Sequence, residues 1–181
     1  MIQKIFTYIL IVLHKVRLLL FVQNKYISFG SGCEITSGVR VRAFDGGVIK
    51  FAEKVCIDRF ADIQSKSGEI FIGPCTFIGQ FSIICSHYKI SIGSDCLIAK
   101  HVTIRDQDHN FGTIKKTSLA GMRTSSIEIG NNVWIGAKVT VTKGVKIGNN
   151  SVIGANSVVT KNVPANTIVG GIPSRILSET K

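Results

Sequence analysis

Acidic residues are scarce in this 181-residue chain, and between residues 129 and 178 there are none. Lys138, Lys143, Lys146, Lys161 and Arg175 all fall in that stretch, a local charge of +5 within a total of +11. A solvated face normally mixes both signs, so the gap points to an anionic partner: a phosphorylated ligand, a membrane surface or nucleic acid. Helix-turn-helix and zinc-finger patterns are missing, as are the interleaved aromatics of a base-stacking platform, and no nucleic-acid partner is expected. The five cysteines (Cys33, Cys56, Cys75, Cys85 and Cys96) contain no CxxC pair and are odd in number. That argues against a zinc ribbon and against a complete disulfide framework, and implies a reduced, cytoplasmic protein. The four histidines have no metal-ligand spacing such as HxxxH, so no metal is expected. With 45% hydrophobic and 18% charged residues, the chain is apolar enough for one folded domain.

Residues 1–26 lack glycine, proline and acids altogether, and carry Lys4, Lys15, Arg17 and Lys25. Ile2, Ile5, Ile9, Val12, Leu13, Val16 and Leu20 gather opposite Gln3, Lys4, Thr7, His14, Lys15 and Lys25 on a helical projection, which predicts an amphipathic helix. A membrane span needs about 20 uninterrupted apolar residues, and Lys15 with Arg17 interrupts this one. No small-residue cleavage site follows, which argues against a secretory signal. Two roles stay open: a cap over the first coil, or an interfacial helix making peripheral contact with the inner face of a membrane.

What the chain has in abundance is a six-residue beat. Ile129, Ile135, Val141, Ile147, Ile153 and Val159 recur without a slip, and the same register appears upstream as Phe29, Ile35 and Val41; Phe51, Ile57 and Ile63; Ile72, Ile78 and Ile84; Ile92, Ile98 and Ile104. Neither a helix nor a single strand demands this period. Groups of three hexads imply about six stacked turns of three short strands, a triangular all-β solenoid. Glycine follows the aliphatic residue at 73, 79, 93, 130, 136, 148 and 154, read here as backbone freedom at tight corners. Four positions after the aliphatic, residues such as Val55, Ala61, Ser82, Cys96, Val102 and Ser157 are small or β-branched, as a narrow inward corner requires. The Asn pairs at 131–132 and 149–150 suit left-handed backbone at turns.

The stretches "NNVWIGAKV", "IGANSVVTKNVP" and "GGIPSR", set in this register, resemble the hexapeptide-repeat acyltransferases. The resemblance implies a left-handed parallel β-helix over residues 27–176, with 177–181 as a tail, and a homotrimer with active sites between subunits. Handedness comes from the resemblance alone, since parallel crossovers are otherwise right-handed.

The repeat is broken at 105–126, "RDQDHNFGTIKKTSLAGMRTSS". An insertion of this length that adds nothing to the core is usually functional or disordered. The resemblance makes it the loop whose histidine deprotonates the acceptor hydroxyl, which falls on His109. A neutral imidazole, with an unperturbed pKa near 6.5, contributes about 10²- to 10⁴-fold as such a base. Asp106 or Asp108 is expected to orient it, and the sequence does not choose between them. A second break, "CSHYK", places two extra residues before Ile92 and makes His87 a weaker candidate for the acceptor site; His101 at a corner is weaker still. Trp134 of the "VWIG" motif is implied to face outward and wall the thioester off from water. The resemblance further implies that coenzyme A, entering as acetyl-CoA, is held by main-chain amides of Ala137 and Ala155 and by Thr160, Lys161 and Arg175; the charge of the acid-free stretch adds Lys143 as a candidate cation.

The expected activity is therefore acetyl transfer from acetyl-CoA to a carbohydrate hydroxyl of a surface polysaccharide or its precursor. N-acylation of an aminosugar nucleotide, acetylation of a xenobiotic and a non-catalytic scaffold are the alternatives.

Overall fold

The computed structural model describes residues 25–112 and 116–180. The amphipathic-helix reading of residues 1–26 falls almost wholly outside them, and no helix among the described residues is long and apolar enough to cross a membrane.

The chain winds as a triangular prism. Strands stack into three sheets, the first and third of six parallel strands and the second of seven parallel strands and one antiparallel, so that six full coils are complete among the described residues. Each coil contributes one short strand per sheet, as Lys89–Ile92, Leu97–Ile98 and Thr103–Arg105 do in the fourth. Register is kept by the repeating aliphatic: on the second face Ile35, Ile57, Ile78, Ile98, Ile135 and Ile153 stand directly over one another. Except for the partly covered Phe29 of the first coil, every repeating aliphatic is buried. Burying one such side chain contributes about 1.5–3 kcal/mol, and no coil can bury its inner face unaided. The small residues four positions on fill the inward corners: Val55, Ala61, Thr76, Ser82, Cys96, Val102, Val139 and Ser157 have almost no exposed surface. Thr76 and Ser82 hydroxyls donate to the carbonyls of Gly93 and Ala99 in the next coil, which satisfies polar atoms that burial would otherwise penalise.

Two details differ from the sequence reading. The glycines after the aliphatic are not in left-handed conformation; the positive φ values fall two residues later, at Lys54, Phe60, Cys75, Phe81, Asp95, His101, Asn132, Lys138, Asn150 and Asn156. Glycine is needed instead because the next coil passes too close for a side chain: a Cβ on Gly79 would lie 2.7 Å from the Ala99 carbonyl carbon, and one on Gly136 2.6 Å from the Ala155 nitrogen. Second, the strand Arg175–Glu179 runs across the expected boundary at 176 between coil and tail. After Thr167–Gly170 adds to the second sheet, Arg175–Glu179 turns back antiparallel against it and closes that sheet's growing edge.

The break at 105–126 leaves the stack undisturbed. Ile90 still pairs Ile127 and Thr103 still pairs Thr140 across it. The excursion is a hairpin, with Gln107–His109 antiparallel to Met122–Thr124, leaving the prism at the corner between the third and first faces.

Candidate active site

His109 ends the first strand of this hairpin, opposite Met122, and is exposed. Beyond it Asn110 Nδ2 donates to the Ala120 carbonyl (2.7 Å), and the Arg123 guanidinium donates to Asn110 Oδ1 (2.9 Å) while lying over the Phe111 ring. A histidine presented by a paired strand end is more precisely placed than one on a free loop.

Neither aspartate orients its ring. Asp106 spends its carboxylate on the turn 86–88 of the preceding coil, and Asp108 forms an ion pair with Lys143 at 2.6 Å. Adjacent strand residues also point to opposite sides, so Asp108 and His109 diverge. Lys143, expected among the coenzyme A cations, thus supports the hairpin from the next coil, where Gly144 N–H donates to the Ser125 carbonyl.

Trp134 occupies the strand Trp134–Ile135 rather than a corner, and its outward side chain is 55% exposed between Leu97 and Val152 of the neighbouring coils. It stands beside the corner between the second and third faces. That corner has a distinctive feature. At the preceding corner, Asn131 and Asn149 side chains accept the N–H groups of Ser94 and Asn131. The corresponding residues here are Ala137 and Ala155, whose side chains have no such acceptor, and the N–H groups of both find no acceptor among the described residues. These two N–H groups lie one coil apart, and Arg175, paired with Gly170, begins the last strand near the same corner; unpaired amides of this kind can donate to carbonyl or phosphate oxygens. Lys138, Lys161 and Arg175 make no ion pair among the described residues, whereas Lys146 pairs with Glu128 (3.1 Å).

The expected site residues thus divide between two edges of one prism. Trp134, Ala137, Ala155 and Arg175 lie along the corner between the second and third faces; His109, Asp108, Lys143, Thr160 and Lys161 lie along the corner between the third and first. His101, at the first of these corners, stacks on Phe81 (5.1 Å between centroids), which stacks on Phe60 (5.2 Å). That ladder accounts for the histidine without chemistry. Sequence reasoning gave the turn 86–88 little weight, although the two extra residues of "CSHYK" marked it.

The bacterial transferase hexapeptide (six repeats) family model matches residues 126–161. WbbJ of Escherichia coli K12, named for O-acetyl transfer in lipopolysaccharide biosynthesis, is 31% identical over 84% of this chain and 71% of its own length. The galactoside O-acetyltransferase of the same organism is 41% identical over 64% of this chain; the match spans 56% of that relative's length. The crystal structure of AntD, an N-acyltransferase from Bacillus cereus in complex with dTDP and 3-hydroxybutyryl-CoA, superposes with a TM-score of 0.76, covering 93% of this chain and 88% of that one at 20% identity, a likeness of fold. With its hexad core, its extruded histidine hairpin and a relative matched along most of both chains, this chain belongs to the hexapeptide-repeat acyltransferase family.

Proposed function

We propose that the chain is an acetyl-CoA-dependent O-acetyltransferase acting on a sugar hydroxyl of a surface polysaccharide or its precursor, with His109 as general base. The observation carrying this reading is the division of the site between two edges of the prism. The unpaired amides and Trp134 stand on one edge, the histidine hairpin on another, and a threefold assembly that brings the first edge of one copy against the second edge of the next completes the site three times over. A homotrimer is therefore part of the proposal, as is location at the cytoplasmic side of the membrane where such precursors are handled.

In that groove the imidazole of His109 takes the proton of the acceptor hydroxyl as its oxygen attacks the thioester carbonyl. The carbon–sulfur bond breaks, the proton passes to the departing sulfur, and free coenzyme A leaves with the acetyl ester formed. Unpaired amides at Ala137 and Ala155 and the cations Lys161 and Arg175 hold the donor, and fixing both substrates supplies much of the rate. The names of WbbJ and the galactoside O-acetyltransferase, both O-acetyl transfer to carbohydrate-related acceptors, support the hydroxyl over an amine.

The test is thiol release from acetyl-CoA across a panel of p-nitrophenyl galactosides and glucosides, oligomers of N-acetylneuraminic acid, and an amino-sugar nucleotide. The expectation is turnover with a hydroxyl acceptor that falls about 10²- to 10⁴-fold in His109→Ala. Faster transfer to the amine, or full activity in His109→Ala, refutes it.

A further inference from the structure

The root of the hairpin is gripped by two consecutive side chains. Asp106 is fully buried. Its Oδ2 accepts from Ser86 Oγ (2.7 Å) and from Tyr88 N–H (2.9 Å), and its Oδ1 from His87 N–H (2.8 Å). The next residue, Gln107, is also buried and donates its amide to Cys85 Sγ (3.1 Å). Four successive residues of one coil, 85–88, are thus tied to two successive residues at the start of the next excursion.

A buried carboxylate is costly unless its oxygens are fully engaged. Closing a turn needs no such group; a serine or asparagine serves. Three charge-assisted bonds aimed at one turn do something a neutral closure does not: they fix that turn against the strand leading to the base. The turn departs from the hexad and thrusts Tyr88, 58% exposed, outward beside the half-buried His87. His109 follows Asp106 by three residues, at most about 10 Å of extended chain. A phenol ring with a polar tip suits a pyranose, whose C–H face packs on the ring while its hydroxyls bond at the rim.

We propose that Asp106 is a positioning residue that locks the turn 86–88 to the hairpin, so that Tyr88 and His87 form the seat of the acceptor sugar beside His109. This rests on the reading of His109 as the base. Asp106 then acts through backbone placement, without touching the imidazole.

The experiment is steady-state kinetics of the full chain with the panel sugar of highest turnover, comparing Asp106→Asn, Ser86→Ala, Tyr88→Ala, His109→Ala and the Asp106→Asn/His109→Ala pair. Asp106→Asn is expected to lower kcat about ten- to a hundredfold, the penalty of an ångström-scale misplacement. It should raise the acceptor KM and leave the acetyl-CoA KM unchanged. Tyr88→Ala should raise the acceptor KM alone. The double variant should be no slower than His109→Ala, because a displaced base and a missing one cannot both be lost. Losses that multiply in the double variant, or KM values for both substrates rising together with a lower melting temperature, overturn the proposal, as does native kcat in Asp106→Asn. If Asp106→Asn fails to fold, Ser86→Ala, which deletes one of the three bonds, carries the same comparison. Full activity in His109→Ala sinks the base itself, a result separate from any of these.

Discussion

Gly79→Ala tests why glycine recurs after the aliphatic residue. Its added Cβ would sit 2.7 Å from both the Ala99 carbonyl carbon and the Lys100 nitrogen, and 2.9 Å from the Ile98 oxygen. Comfortable carbon contacts lie at about 3.5–4.0 Å, so the two coils must part by roughly an ångström. The hydrogen bond from Gly79 N–H to the Ile98 carbonyl, 2.8 Å long, does not survive that opening. Its loss costs about 0.5–1.5 kcal/mol and the overpacking about 1–3 kcal/mol. Stiffening of the unfolded chain returns about 0.4–1 kcal/mol. A net loss of about 0.5–4 kcal/mol corresponds to a drop in melting temperature of about 1–16 °C for a chain of this size. Thermal melts followed by circular dichroism at fixed protein concentration measure it. Two controls sharpen the test. Gly154→Ala meets nothing closer than the Val169 oxygen at 3.3 Å, and Gly46→Ala meets nothing within 4 Å but keeps a φ of +83°. Gly79→Ala should be the most damaging of the three; if Gly46→Ala is worse, corner conformation and not coil spacing selects glycine, and the reasoning fails.

Trp134→Ala should leave the melting temperature nearly unchanged, since the ring is more than half exposed. It should lower kcat/KM for acetyl-CoA about two- to tenfold, the equivalent of one aromatic contact; a large loss of stability with native kinetics would assign it to packing instead. Asp58 is held below the ordinary carboxylate range, first by the N–H of Arg59 at 2.7 Å, against the opposing effect of its burial. Its contribution is present above the unfolded value of about 3.9 and disappears as pH falls through the lowered folded value. Asp58→Asn should therefore be less stable than the native chain in urea at pH 7 and equal to it in strong acid; a gap independent of pH contradicts this. Burial pushes the Cys96 thiol above its ordinary range, while Cys75 is exposed. Iodoacetamide should modify Cys75 in the folded protein and reach Cys96 only on unfolding, as peptide mass mapping can establish.

The solenoid was legible because its signal is local and repeated: Ile98 is buried for the same reason as Ile78 and Ile135, and one register predicts all three. The same count marked the interruption at 105–126, while the outward setting of Trp134 was implied by the resemblance. What the count missed depends on neighbours one coil away. Gly79 read as backbone freedom at a tight corner because the sequence does not display the Ala99 backbone pressed against it. Lys143 looked like one cation among five, since its partner Asp108 is 35 residues distant. Asp106 and Asp108 were equal candidates beside His109 until the turn 86–88 claimed one and Lys143 the other. The return of Arg175–Glu179 against the second sheet carries no hexad and left no periodic trace.

The excursion that carries His109 departs from and rejoins the prism without altering a single rung, for Thr103 meets Thr140 as though nothing had been inserted. The strand end that presents His109 thus takes no part in the strand pairing that stacks the coils. Selection can lengthen, shorten or rewrite the hairpin tip to suit a new sugar while the scaffold that presents it goes on assembling as before.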